Sequence, residues 1–131
     1  MEWHSYPKVW ALGHPNIAEL LYDPVLVEEK IDGSQYNVGI LGGDFRCRSK
    51  GADILPDAPD NMFKQAVTES MALDLRPDWI YRFEYLMKPK HSTLKYDRVP
   101  RRYLILFDIT TDLETYLPYD AKLEEAERID V

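Results

Sequence analysis

One short stretch, residues 27–34, carries the residues with the clearest chemical potential. Lys30 lies two positions before Asp32, and the dipeptide Asp32-Gly33 is typical of tight turns. Scaffolds often place reactive groups at turns next to strand ends. A lysine amine becomes a nucleophile once it has lost its proton, so the stretch indicates covalent catalysis. The simpler alternative is a solvated lysine beside a common turn, and residues elsewhere in the chain must decide between the two.

Three further groups of residues have the chemistry of a nucleotide site. Arg46, Arg48 and Lys50 alternate along one predicted strand and would share its face. Glu84 is a carboxylate in an otherwise aromatic and apolar strand, which is costly unless the group is paired or hydrogen-bonded. Phe107 lies in another apolar strand and could either stack on a base or pack in the core. Each group also has a structural alternative: a solvated cationic strand face, a carboxylate paired with Arg82 or Arg46, and a core phenylalanine.

Residues 88–102 form a basic stretch in a chain that is acidic overall. Cations alternate there with a histidine and tyrosines, a pattern that suits a phosphate backbone and exposed bases. A solvated loop that carries charge for solubility is the alternative. The candidate RNA-binding residues are Lys88, Lys90, His91, Lys95 and Arg98.

The order and spacing of these stretches resemble the lysine nucleotidyltransferases, which comprise ATP-dependent DNA ligases, RNA ligases and mRNA-capping guanylyltransferases. Lys-x-Asp-Gly at 30–33 resembles the nucleotide-attachment motif of that superfamily. The overall pattern is most similar to the phage-type, RNA ligase 2-like RNA ligases of RNA repair. The matching stretches are residues 30–33, 45–51, 81–86, 88–100 and 104–109.

The resemblance implies a reaction and its cofactors. The Lys30 amine would attack the α-phosphate of ATP, with Mg²⁺ or Mn²⁺ present, and form a lysyl-AMP. The AMP would then activate an RNA 5′-phosphate for joining to a 3′-hydroxyl end. Because a lysine amine has an ordinary pKa of about 10.4, we expect partial burial and nearby cations at Lys30.

The resemblance also assigns residues to the nucleotide. Glu84 would hold the ribose and Phe107 would stack on the adenine. One of the two glutamates before Lys30 would contact the adenine amine, with Glu29 slightly favoured, and Lys50 or Arg48 ranks above Arg46 as the cation that contacts ribose or phosphate. The implied nucleotide-binding residues are Glu28, Glu29, Ile31, Asp32, Gly33, Arg48, Lys50, Glu84 and Phe107. No metal ligand is predicted.

The sequence departs from the family after Asp108. The family's Glu-Gly motif and its final Lys-x-Lys strand have no counterpart there. We therefore expect residues 1–131 to be the N-terminal portion of a nucleotidyltransferase domain. The chain would be a fragment, a protein completed by a missing C-terminal segment or second chain, or a catalytically inactive nucleotide- or RNA-binding module.

The elements that must position these residues follow from periodicity and turn signals. Strands are predicted at 25–31, 35–41, 45–49, 79–87 and 103–109, the last buried on both faces. Helices are predicted at 17–22, from 60 or 61 to 73, and from 121 onward, with loops at 52–61 and 88–102. The predicted fold class is α+β, a mainly antiparallel sheet with flanking helices, as in a partial nucleotidyltransferase (ATP-grasp-like) adenylation domain.

Composition limits the alternatives. With 131 residues, 45% of them hydrophobic and 30% charged, the chain is expected to form one soluble globular domain. A net charge of −7 argues against a generic polyanion-binding module. The single cysteine excludes an internal disulfide. No signal peptide or membrane span is apparent, so a cytoplasmic location is predicted.

Overall fold

The computed structural model describes residues 2–131, which form six strands and two α-helices. The strands are β1 (Ser34–Leu41), β2 (Asp44–Ser49), β3 (Asp53–Ile54), β4 (Ile80–Tyr85), β5 (Leu104–Asp112) and β6 (Thr115–Tyr116). They pair in one antiparallel sheet in the order β3-β2-β1-β4-β5-β6. The helices are α1 (Lys64–Met71) and α2 (Tyr119–Ile129). The predicted α+β class with a mainly antiparallel sheet is confirmed.

The β1–β2 hairpin forms where alternation and turn residues predict it. Gly42 and Gly43 have φ values of 61° and 87°, a conformation that glycine adopts at little cost. The turn pairs Leu41 with Asp44 and so fixes the register of both strands. As a result, Arg46 and Arg48 lie opposite Gly39 and Asn37 of β1.

One face of the sheet builds the core. Tyr36, Val38 and Phe83 are fully buried there, and α1 contributes Ala66 and Val67. Aromatic side chains on this face carry hydroxyls that need partners, and the sheet-to-helix contacts supply them. The Tyr36 hydroxyl lies 2.7 Å from Ser70 Oγ of α1.

The opposite face of the sheet is polar, and we call it the polar face. Side chains alternate along a strand, so the aromatic residues of β4 alternate with polar ones that point the other way. The cross-strand pairs Asn37–Arg48, Asn37–Arg82 and Arg82–Asp108 carry polar side chains across four strands. The polar face consists of Gln35, Asn37, Arg46, Arg48, Arg82, Glu84, Asp108 and Thr110.

Two predictions about regular structure are wrong. Residues 25–31 form no strand, and residues 21–30 are all exposed. The β-branched residues in this segment match a pleated, half-buried surface, but the segment has no neighbouring strand to pair with in the described chain. Residues 17–22 form no single helix, since two short 3₁₀ turns, Pro15–Ile17 and Leu20–Tyr22, occupy the region.

The prediction that β5 is buried on both faces is also wrong. Leu104, Ile109 and Thr110 are buried, whereas residues 105–108 are only partly so. The continuous apolar run suggested a doubly covered strand, but one side of β5 belongs to the polar face. Part of that side is covered by residues 3–6 and not by a packed layer.

The helices and the long loop follow the predicted pattern, whereas the two-residue edge strands β3, inside the predicted loop at 52–61, and β6 were not predicted. Helix α1 continues a 3₁₀ turn at Asn61–Phe63, and residues 86–100 form a long segment without a helix or strand. Helix α2 ends at Asp130, which has the left-handed φ of 66°. No helix among residues 2–131 is long and apolar enough to cross a bilayer.

Candidate functional site

A cluster of charges surrounds Glu84 at one end of the polar face. Partial burial raises the pKa of the Glu84 carboxyl above its ordinary value. The Gly33 N–H and the ammonium groups of Lys30 and Lys50 oppose this rise, whereas Asp32 adds to it. The turn after Lys30 packs against β4 at this point, where a Cβ on Gly33 would lie 3.3 Å from Glu84 Cγ. Gly33, three residues after Lys30, thus lies beside Glu84, and the roles of Lys30, Lys50 and Glu84 at a nucleotide stay predictions.

The Lys30 side chain differs from expectation in its burial. The predicted site needed a partly buried amine, but Lys30 is exposed, as are Glu29 and Lys50. Ile31 is partly buried. The reason is the absence of a strand at 25–31, which leaves the lysine on an extended segment at the edge of the polar face. The expectation of burial is wrong for the chain in this structure, whereas the role of Lys30 stays a prediction.

Gly33 holds the turn after Lys30 against β4. A Cβ at this position would lie 2.4 Å from the Tyr85 carbonyl oxygen, closer than any real side chain comes. The Gly33 backbone also lowers the pKa of the Glu84 carboxyl, against the larger effect of burial. A glycine is therefore required here by the close approach of two backbones.

A β-bulge places Phe107 and Asp108 side by side. The β4–β5 register shifts between Arg82 and Phe83, which leaves Phe107 as the extra residue between Leu106 and Asp108. Tyr6 contacts both: its hydroxyl donates to Asp108 Oδ2 at 2.7 Å, and its ring lies edge-on to Phe107 with 5.1 Å between centroids. An aromatic ring and a carboxylate thus share one surface beside the Glu84 cluster.

Lys122 of α2 connects the segment before Lys30 to Phe107. This buried ammonium lies 2.9 Å from each carboxylate oxygen of Glu28 and donates to the Phe107 carbonyl oxygen at 3.0 Å. Glu28 is therefore bonded within the protein. Sequence reasoning missed Lys122, although its spacing with Glu125 and Ile129 at i, i+3 and i+7 would have put it on the buried side of α2.

Arg82 occupies the centre of the polar face and is fully buried. The guanidinium donates to Thr110 Oγ1 at 3.2 Å, to Asn37 Oδ1 at 3.2 Å and to the His4 carbonyl oxygen at 2.9 Å. These hydrogen bonds go to groups other than the Glu84 carboxylate, although both side chains lie on the polar face. The N-terminal residues thus complete the bonding of a central cation.

Trp3 lies among three arginines on the same face. Its ring is 5.5 Å from the Arg46 guanidinium carbon and 5.9 Å from those of Arg48 and Arg82. Arg48 Nε is also 3.0 Å from Asp53 Oδ1, an ion pair without hydrogen-bond geometry. Arg48 is therefore held by neighbours, whereas Lys50 extends to solvent.

The basic segment at 87–98, which we call the basic loop, is attached to the turn that follows Lys30. Asp32 accepts hydrogen bonds from the N–H groups of Thr93 and Leu94, and its own N–H donates to the Tyr96 hydroxyl. His91 points inward to Ser34. The other predicted RNA-binding residues of the loop, Lys88, Lys90, Lys95 and Arg98, are exposed.

The site is an open surface with few obvious metal ligands. No group of three or more His, Cys, Asp or Glu side chains among residues 2–131 could hold a metal ion. Mg²⁺ in nucleotide sites is usually bound through one or two carboxylates together with substrate phosphates. Glu84 and Asp108 are the carboxylates of the polar face, and both oxygens of Asp108 already accept hydrogen bonds, from the Tyr6 hydroxyl and the Ile109 N–H. Of these two groups, Glu84 is the one that could bind a cation that arrives with a triphosphate. Cavities of about 290 and 310 Å³ lie elsewhere, beside Trp79 and beside Tyr116.

Comparison of the chain with protein-family models, with curated proteins and with solved structures found no match. Inference about function therefore rests on the residues and their geometry.

Proposed function

We propose that this chain is the nucleotide-binding part of a cytoplasmic ATP-dependent RNA ligase that uses Lys30 as the adenylated residue. The observation that carries the proposal is the packing of the turn after Lys30 against Glu84 at one end of the polar face, where a Cβ on Gly33 would lie 3.3 Å from Glu84 Cγ. Phe107 and Asp108 lie on that face as well, beside the lysine-bearing segment that Lys122 anchors. Together these groups provide an amine, a cation, a carboxylate and an aromatic ring, which are the contacts that an adenosine triphosphate needs.

The chemistry begins with loss of a proton from the Lys30 ammonium. The amine lone pair then attacks the α-phosphorus of ATP, a P–N bond forms, and pyrophosphate leaves with the electrons of the broken P–O bond. A bound Mg²⁺ or Mn²⁺ would supply charge neutralisation at the phosphates. The AMP passes from the lysine to an RNA 5′-phosphate, and an RNA 3′-hydroxyl displaces AMP to seal the two ends.

The other residues bind and orient the nucleotide. Glu84 accepts hydrogen bonds from the ribose hydroxyls, and this partnership offsets the cost of a partly buried carboxylate. Phe107 stacks on the adenine, which could contribute about 1–3 kcal/mol. Arg48, on β2, and Lys50, in the turn after β2, attract the phosphates. The basic loop, next to Asp32, offers cations to the RNA backbone.

Labelling with [α-³²P]ATP and Mg²⁺ tests the proposal directly. The protein should acquire acid-labile label that survives denaturation, and Lys30→Ala should abolish it. Lys64→Ala is the matched control, because Lys64 is an exposed lysine at the start of α1. Absence of label from the wild-type chain, or equal labelling of Lys30→Ala, would contradict the proposal.

A second candidate is a nucleotide- or RNA-binding module without catalysis. The exposure of the Lys30 side chain favours it, since an amine in water has little reason to lose its proton. Tight ATP binding without covalent label would support this module. Label from GTP in place of ATP would instead indicate a capping guanylyltransferase.

A further inference from the structure

The basic loop is bound to the turn after Lys30 through Asp32. The Asp32 carboxylate accepts from the Thr93 N–H at 2.8 Å and the Leu94 N–H at 2.7 Å. The Asp32 N–H donates to the Tyr96 hydroxyl at 2.8 Å. These two backbone hydrogen bonds lower the pKa of Asp32, so the carboxylate stays ionised well into the acid range. The ionised carboxylate is therefore the form that these hydrogen bonds stabilise.

His91 makes the second attachment, and its partners fix its protonation state. Its Nδ1 accepts from the Met87 N–H at 2.9 Å, and its Nε2 lies 2.8 Å from Ser34 Oγ. A backbone N–H can only donate, so Nδ1 must carry a lone pair and the ring proton must sit on Nε2. The neutral ring therefore bridges the loop and the start of β1. A proton on Nδ1 would make that atom a donor facing the Met87 N–H, which is also a donor, so this hydrogen bond would be lost.

The surroundings of His91 favour the neutral ring. Partial burial lowers the pKa of His91 below its ordinary value, Lys88 lowers it further, and Asp32 on the facing turn opposes the shift. From β4, Tyr85 contacts the imidazole edge-on with 5.5 Å between ring centroids. Ser34 contributes a neutral hydroxyl. The contact thus holds at neutral pH and is open to disruption by acid.

We propose that His91 is a positioning residue for Lys30: its neutral ring, with Asp32, holds the basic loop on the turn that follows the lysine, and protonation of the ring releases the loop. The link to Lys30 rests on the proposed function, whereas the docking of the loop does not. Because the loop carries the candidate RNA-binding cations, its docking connects RNA contact to the backbone next to the nucleophile.

NMR of the wild-type protein tests the docking without ATP. The imidazole ¹⁵N signals should identify the Nε2–H tautomer, with a titration midpoint below about 6.5. Amide-exchange protection of Met87, Thr93 and Leu94, corrected for intrinsic rates, should fall about fivefold between pH 7.5 and pH 5, as expected for loss of one hydrogen bond. A midpoint at or above 6.5, or protection that is independent of pH, would overturn the proposal.

Two variants separate His91 from other titrating groups. Glu84 is another group beside this turn whose pKa departs from its ordinary value, since partial burial raises it. His91→Gln keeps a donor and an acceptor but cannot gain a proton, so its protection should be independent of pH. His14→Gln changes a histidine that caps a 3₁₀ turn elsewhere and should behave like the wild type. An acid-dependent loss of protection in His91→Gln would assign the effect to another group and overturn the proposal.

Labelling with [α-³²P]ATP then tests the link to Lys30. The ratio of wild-type to His91→Gln labelling rates should fall about fivefold between pH 7.5 and pH 5, since lysine deprotonation affects both proteins equally. A constant ratio would overturn the positioning role. If the loop titrates as expected but neither protein is labelled, the proposed function fails together with the positioning role, while the docking of the loop stands.

Discussion

Glu84 shows at the residue scale how a binding group can oppose stability. A carboxyl whose pKa is raised in the folded state binds protons more tightly there than in the unfolded chain. Its favourable contribution is complete below the unfolded pKa and is lost as the pH rises through the folded pKa. Ionisation of Glu84 therefore opposes folding, which is consistent with the proposal that this carboxylate binds a ligand.

Replacement of Glu84 should separate stability from binding. Glu84→Gln keeps an acceptor for the Gly33 N–H and removes the buried charge. We expect thermal denaturation at pH 7.5 to occur at a higher temperature than in the wild type, while calorimetry shows weaker ATP binding. The gain in stability should vanish at low pH, where the wild-type carboxyl is protonated. A variant that is less stable at pH 7.5 would contradict this interpretation.

Lys122 is the second residue whose environment predicts a measurable effect. Lys122→Met would leave the Phe107 carbonyl oxygen without its donor and Glu28 without its partner. We expect a loss of about 1–3 kcal/mol in the free energy of unfolding by urea. Lys64→Met, at an exposed position of α1, should change it by no more than about 0.5 kcal/mol. Equal effects of the two substitutions would show that Lys122 does not anchor the segment.

At the scale of elements, the turn between residues 30 and 34 depends on one close backbone contact. Gly33→Ala would bring a methyl group to 2.4 Å from the Tyr85 carbonyl oxygen, so the turn or β4 must move. We expect a loss of about 1–3 kcal/mol and weaker ATP binding, measured by urea denaturation and calorimetry. Gly51→Ala is the control, because a Cβ there meets open space among the described residues. An unchanged stability of Gly33→Ala would contradict the packing of the turn on β4.

Elements that are specified by their own residues could be predicted from the sequence. Elements that depend on pairing with a distant part of the chain could not. Alternation in β1 and the Gly42-Gly43 turn specify their hairpin without knowledge of the remaining chain. Residues 25–31 have a similar β-forming composition but no neighbouring strand, so they form no strand in the structure. The same limit applies to the site. Glu84 was identified as a costly carboxylate, whereas the contact of Lys122 with Glu28 and that of His91 with Ser34 join residues far apart in the sequence.

At the scale of the molecule, the N-terminal residues 3–6 cover part of the polar face. Tyr6 joins this segment to β5 through Asp108, and its hydroxyl is held protonated, since burial raises the tyrosine pKa and Asp108 adds to the shift. The His4 carbonyl oxygen accepts from buried Arg82. The segment is thus bonded to the centre of the sheet.

Removal of the Tyr6 hydroxyl should loosen that cover. Tyr6→Phe keeps the ring against Phe107 but deletes the hydrogen bond to the Asp108 carboxylate. Because the acceptor is charged, we expect a loss of about 1–2 kcal/mol by urea denaturation. Tyr22→Phe is a suitable control, since Tyr22 is 79% exposed. If both variants match the wild type, the Tyr6 contact does not secure the segment.

The measurement that bears most directly on the whole account is the identity of the modified lysine after incubation with ATP and Mg²⁺. Mass spectrometry of proteolytic peptides should find one AMP adduct, and it should map to Lys30, next to the carboxylate of Glu84. An unmodified protein under these conditions, or an adduct on any other lysine, would contradict the assignment of this surface as an adenylyl-transfer site.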